Sequence, residues 1–124
     1  MNLLKVIKDI RGKDANMSFP KNPEDQLKPE TVANVLLNAL AAYPVNDRKE
    51  VFYVNKIASQ ILEATEEGKD GATEFTDVYR NFLKEAVYRS MYRTEAGEEG
   101  GKVEKGVYMP FVVAQVLEEL GFTE

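Results

Sequence analysis

Between Pro29 and Pro44 the chain sets Val32, Val35, Leu36, Ala39, Leu40 and Tyr43 at i, i+3, i+4, i+7, i+8 and i+11. At about 100° per residue these side chains share one helical face, and a stripe this continuous has to be buried against other elements. Proline cannot continue a helix, so Pro44 marks its end. Asn34 and Asn38 fall beside the stripe and are expected to be surface amides.

Three further helices follow from the same reasoning. The second starts near Asp47, where Asp47-x-x-Glu50 resembles a capping box, carries Val51, Val54, Ala58 and Ile61 inward, and stops at Gly68. Phe52, Tyr53, Ile57 and Leu62 widen its apolar arc, so it is either the central helix of a bundle or offers a partner groove on its second side. The third runs from about Thr73 or Thr76 to Tyr92. Val78, Tyr79, Phe82, Leu83 and Ala86 share a face that Arg89 and Arg93 continue, while Val87, Tyr88 and Met91 lie elsewhere. Either this helix leaves the core after about residue 87, or it breaks there, or the Arg stems cover apolar surface. The last helix opens at Pro110 and turns Val113, Val116, Leu117 and Leu120 to one side. Gly121 then suits the left-handed position after a helix, with Phe122 packing back on Leu117 as in a Schellman motif.

The remaining segments are short. Residues 3–10 mix β-branched and charged side chains, Arg11-Gly12-Lys13-Asp14 supplies a turn, and residues 15–19 form a second run, which together predict a small hairpin. Ile7 breaks the alternation of Leu4, Val6 and Ile10, so a short helix over 2–10 competes with the strand. Phe19-Pro20-Lys21-Asn22-Pro23 reads as an extended connector. Residues 66–71 resemble a calcium loop only superficially, because aligning Gly71 with the loop glycine leaves the third ligand position to Gly68. Residues 94–106 hold four glycines, four glutamates and two lysines and predict a flexible surface loop without a phosphate-binding glycine pattern. The expected fold is α+β, mainly α: a small N-terminal β-hairpin followed by a four-helix domain. Residues 1–124 are expected to form a single domain, with hairpin and connector in 1–28 and the helical part in 29–124.

Function is constrained mostly by what the chain lacks. It contains no His and no Cys, which removes the near-neutral acid–base group, the thiolate nucleophile and the commonest metal ligands. No cofactor or metal is expected, and no enzyme activity. The apolar fraction of 44% and charged fraction of 30% describe an ordinary globular domain, and no apolar run reaches signal-peptide or membrane-spanning length. A cytoplasmic location is the expectation.

Two surfaces stand out. Val87, Tyr88, Met91 and Tyr92 are the candidate partner surface if the third helix projects, because aromatics, Met and Arg are enriched at interfaces; the alternative is that they pack on the N-terminal hairpin. The net charge of −5 argues against a broad nucleic-acid footprint, yet residues 1–28 hold six basic and four acidic groups. A nucleic-acid-associated role would need Lys5, Lys8, Arg11 and Lys13 to converge with Arg80 and Lys84.

Three stretches resemble a group of small proteins from tailed bacteriophages and prophages: Asp9-Ile10-Arg11-Gly12-Lys13, the apolar helix Val32-Ala33-Asn34-Val35-Leu36-Leu37-Asn38-Ala39-Leu40, and the closing Tyr108-Met109-Pro110-Phe111-Val112-Val113-Ala114-Gln115-Val116-Leu117-Glu118-Glu119-Leu120. The resemblance implies a phage or prophage origin and a protein partner, either in virion assembly or in host machinery, or self-association. It assigns no catalytic, cofactor or metal residue. The expectation is a small non-enzymatic protein acting through protein–protein contacts, with nucleic-acid binding as the alternative.

Overall fold

Thr31 starts the first helix, its hydroxyl accepting from the Asn34 amide at 3.3 Å and so satisfying one of the donors a helix start leaves open. A computed structural model of the chain describes residues 1–20 and 22–123. Among these, the helices are α1 (Val32–Ala42), α2 (Arg48–Ala64), α3 (Asp77–Ser90) and α4 (Pro110–Glu119), and an antiparallel pair, β1 (Arg93–Ala96) and β2 (Lys102–Lys105), lies between α3 and α4. The chain is therefore mainly α, with four helices and one two-stranded sheet among the described residues.

The caps follow sequence chemistry. Asp47 accepts from the Glu50 amide at 2.9 Å, but Glu50 reaches back to the amide of Asn46, at 2.7 Å, rather than to that of Asp47. The capping box is thus shifted by one residue. Thr76 caps α3 through the Tyr79 amide. Gly121, at φ +95°, closes α4 as predicted: its amide reaches Glu118 O and the Phe122 amide reaches Leu117 O, both at 2.9 Å. These two bonds are those of a Schellman motif.

Helix α1 packs chiefly on α3 and meets α2 and α4 as well. Val32, Val35, Leu36, Ile57, Ile61 and Leu83 are fully buried in one cluster. Each such side chain contributes roughly 1.5–3 kcal/mol of transfer free energy. On α2 the inward set is Ile57 and Ile61; Val51, expected inside, is exposed together with Phe52 and Leu62. Tyr53 closes the gap to α3 by edge contacts with Tyr79 and Phe82.

The predicted N-terminal hairpin is corrected. Residues 2–10 are neither a strand nor a helix, and the sheet lies C-terminal to three of the four described helices. The N-terminal backbone is largely spent on distant partners: Leu3 N bonds Gly71 O, Ile7 N bonds Glu30 O, and Val32 N bonds Lys5 O. Isolated bridges join Asn2 to Ala72, Val6 to Thr31 and Asn16 to Pro29, with Lys8–Asp14 closing the predicted turn. Burial explains this choice, since Leu3 and Ile7 are the two core side chains of the segment and Ile10 is almost wholly exposed.

The expected flexible loop 94–106 is also corrected, for it carries most of the hairpin. Arg93 pairs with Lys105, Thr94 with Glu104, Glu95 with Val103 and Ala96 with Lys102. Its charges are complementary: Glu95 bridges Arg93 at 2.8 Å and Lys105 at 3.4 Å. The glycines serve the turn and its exit, because Gly97 lies against Val103 and Gly106 lies against the Met91 carbonyl, where a Cβ would come within 2.0 Å. No helix among the described residues is long and apolar enough to cross a membrane.

Candidate binding site

Ser18 is held by three side chains, Glu30 just before α1 and Asn34 and Asn38 on it. Its amide donates to Glu30 Oε2 at 2.8 Å, and its carbonyl accepts from the side chains of Asn34 at 2.9 Å and Asn38 at 3.3 Å. Asn34 also donates to Glu30, and Asn38 donates to the Tyr108 hydroxyl at 2.7 Å. Glu30 is only 1% exposed, and a carboxylate so buried has to be satisfied by donors. The amide of Thr31 supplies another, at 3.2 Å. Asn34 and Asn38 are therefore half-buried members of a polar network, not the surface amides expected.

The next residue, Phe19, has φ +51° and an exposed ring, 63% accessible. A non-glycine residue in the left-handed region costs on the order of 1 kcal/mol or more, and Pro20 restricts it further. Ser18, tied at both its amide and its carbonyl, leads directly into this exposed aromatic.

Phe19 forms one edge of an open groove of about 600 Å³ between the end of α1 and the end of α3. Ala41, Ala42 and Pro44 line the α1 side, Asn38, Ser90 and Tyr108 the polar base, and Val107 an exposed apolar edge. Arg89, Arg93 and Lys105 complete the lining. Each cation is oriented. Arg89 lies 5.3 Å from the Tyr43 ring centroid and pairs with Glu85, while Arg93 donates to the carbonyls of Arg89 and Met91 at the end of α3. That position opposes the negative end of the helix dipole. The helix neither breaks nor leaves the core at residue 87, since it runs to Ser90 with Val87 and Ser90 buried; the Arg89 side chain instead continues the apolar face, with its guanidinium over Tyr43.

The polar base is committed internally. Ser90 donates its hydroxyl proton to Val87 O at 2.6 Å. Burial pushes Tyr108 up to about 12, with the Asn38 hydrogen bond opposing and the Glu30 charge reinforcing the shift. At neutral pH the phenol is protonated.

Of the candidate partner surface, Val87 is completely buried and is withdrawn from it. Tyr88 is exposed, Met91 is half-buried and bridges to Tyr108, and Tyr92 is half-buried with its hydroxyl on Glu104 at 2.9 Å. That bond and the Glu104 charge hold Tyr92 above the usual phenol range. The groove lies beside these residues, lined by Arg89, Ser90 and Arg93 of the same stretch.

Several of the basic residues named for nucleic-acid contact are paired with carboxylates. Lys5 pairs with Glu119 at 3.4 Å, Lys8 pairs with Asp14, and the Arg11 and Lys13 amides close a turn on Asp9. Arg80 bonds Leu120 O and Asp77 and, like Lys84, sits about 5 Å from the Phe122 ring centroid. The hollow beside Arg80 is also lined by Glu74, Asp77 and Glu119, the last of which pairs with Lys5. One signal of the groove is visible in the sequence: Glu30, Asn34 and Asn38 recur every four residues as a polar stripe beside the apolar one. No family model, curated protein or solved structure matches the chain.

Proposed function

We propose that the chain is a non-enzymatic binding protein that receives a segment of a protein partner in the groove edged by Phe19. The supporting observation is Phe19 itself, an exposed aromatic at an unfavourable φ that directly follows a residue clamped to the buried Glu30. Strain of this kind persists only where surrounding structure enforces it, and such sites are enriched at ligand clamps. Phe and Arg are also enriched at the cores of protein interfaces. The base of the groove favours holding over turnover: the Ser90 hydroxyl is bonded to the helix backbone and Tyr108 stays protonated. A virion component or a piece of host machinery, the partners implied by the resemblance to small phage proteins, is the kind of ligand such a groove would serve.

The test is site-specific photocrosslinking in cells. A benzophenone amino acid placed at Phe19 is expected to capture a discrete protein, whereas the same group at Phe52, on the outer face of α2, is not. Equal labelling from both positions, or capture of nucleic acid alone at position 19, would overturn the reading.

A further inference from the structure

The geometry points to an acidic peptide segment carrying one large apolar side chain as the occupant of this groove. The inference rests on the binding reading above and adds the chemistry of the ligand. Among the described residues, every charged side chain lining the groove is a cation: Arg89, Arg93 and Lys105. This is a local reversal in a chain of net charge −5. Their carboxylate partners, Glu85 and Glu95, do not line the groove, and the two serve three cations. The Glu85 bond uses Arg89 Nε, and among the described residues its two Nη groups have no acceptor, so they are placed to meet a carboxylate of the ligand.

The apolar part of the ligand is specified by the opposite wall. Ala41 and Ala42 are small and leave room above α1, while Phe19, Pro44 and Val107 stand around that space with exposed surface. A leucine or aromatic side chain fits such a recess, flanked by carboxylates that reach the cationic rim. Nucleic acid is disfavoured, because phosphate binding needs many cations along a track, and here three cations sit round one recess with Glu95 bridging two of them.

The experiment is selection of a displayed random peptide library on the immobilised full chain, followed by fluorescence anisotropy of the recovered peptides. Recovered sequences are expected to pair two or more Asp or Glu with a Leu or aromatic residue. Their binding should weaken about tenfold or more in Arg89→Glu/Lys105→Glu, weaken in Phe19→Ala, and fall with added salt. Circular dichroism checks the fold, and Lys105→Glu alone, on an exposed strand, provides a milder variant.

Neutral or basic peptides that bind wild type and are lost in Phe19→Ala would overturn the acidic ligand while leaving the binding reading intact. Recovery of no peptide would sink both. Tighter binding of a single-stranded oligonucleotide, competing with the selected peptides, or a dimer abolished by Arg89→Glu, would also overturn the acidic peptide as occupant.

Discussion

Asn38 on α1 donates to the hydroxyl of Tyr108, 70 residues away, at 2.7 Å, and through its second bond to Ser18 O it joins the N-terminal connector to the lead-in of α4. Tyr108 is 4% exposed, and a buried phenol needs such a partner. Tyr108→Phe keeps the ring and removes the bond, and Asn38 retains Ser18. The expected cost is about 1 kcal/mol, read as a lower urea midpoint with an unchanged m-value.

The same hydroxyl sets an alkaline limit. Burial raises Tyr108 to about 12, whereas an unfolded tyrosine ionises near pH 10. Above the unfolded value the unfolded chain loses the proton first, so stability falls as pH rises through that window. The difference integrates to on the order of 2 kcal/mol at its upper end. Urea midpoints between pH 9 and about 12 should decline more steeply for wild type than for Tyr108→Phe; parallel curves would refute the assignment.

Glu30 orders Ser18 and, through it, Phe19. Glu30→Ala leaves the Ser18 and Thr31 amides without their acceptor, while Asn34 keeps the Ser18 carbonyl, and orphaned buried donors cost about 1–3 kcal/mol. Glu30→Gln keeps an acceptor oxygen and should lose less. Hydrogen exchange reads the local effect: the Ser18 amide is expected to exchange faster in both variants, with Glu30→Ala the greater.

Two glycines should respond differently to alanine. At Gly106, φ +79°, a Cβ would meet the Met91 carbonyl at 2.0 Å, which is backbone and cannot step aside. At Gly121 the close atom is Arg80 Nη2 at 2.7 Å, the end of a movable side chain. Gly121→Ala should cost about 1 kcal/mol, chiefly for the positive φ; Gly106→Ala should cost more and displace the hairpin. Truncation after Leu120 removes both Schellman bonds and should lower Tm. Thermal melts of the three variants rank these effects.

The helices were legible because burial imposes a period: the stripe from Val32 to Leu40 and the turn at Gly121 stand in the structure as the spacing implies. The N-terminal segment was not, because its partners are remote. Leu3 depends on Gly71 and Ile7 on Glu30, and no local pattern encodes those pairings. The β1–β2 hairpin was hidden by composition, since Gly and Glu favour loops and its support comes from Glu95 bridging Arg93 and Lys105. The groove was half legible. Arg89 and Arg93 show that α3 changes character, but Asn34 and Asn38 read as surface amides because the connector that buries them, around Ser18, has no periodicity.

Glu119 fastens the N-terminus to α4, accepting from the Asn2 amide at 2.7 Å and from Lys5 at 3.4 Å, beside Gln115, which bonds both the amide and the carbonyl of Lys8. The Asn2 hydrogen bond, opposed by burial and helped by Lys5, holds its carboxyl below the usual 4.5. A carboxyl held low contributes in full above the unfolded value and loses that contribution as pH falls through the folded one. Glu119→Gln can still accept from Asn2 but loses the charge, so about 1 kcal/mol should disappear at neutral pH. The gap between wild type and variant should close as pH is lowered below the unfolded value. Urea midpoints for both proteins from pH 7 down to about 3 decide it: a gap that persists at the acid end would show that the loss comes from packing and not from the ionised clamp.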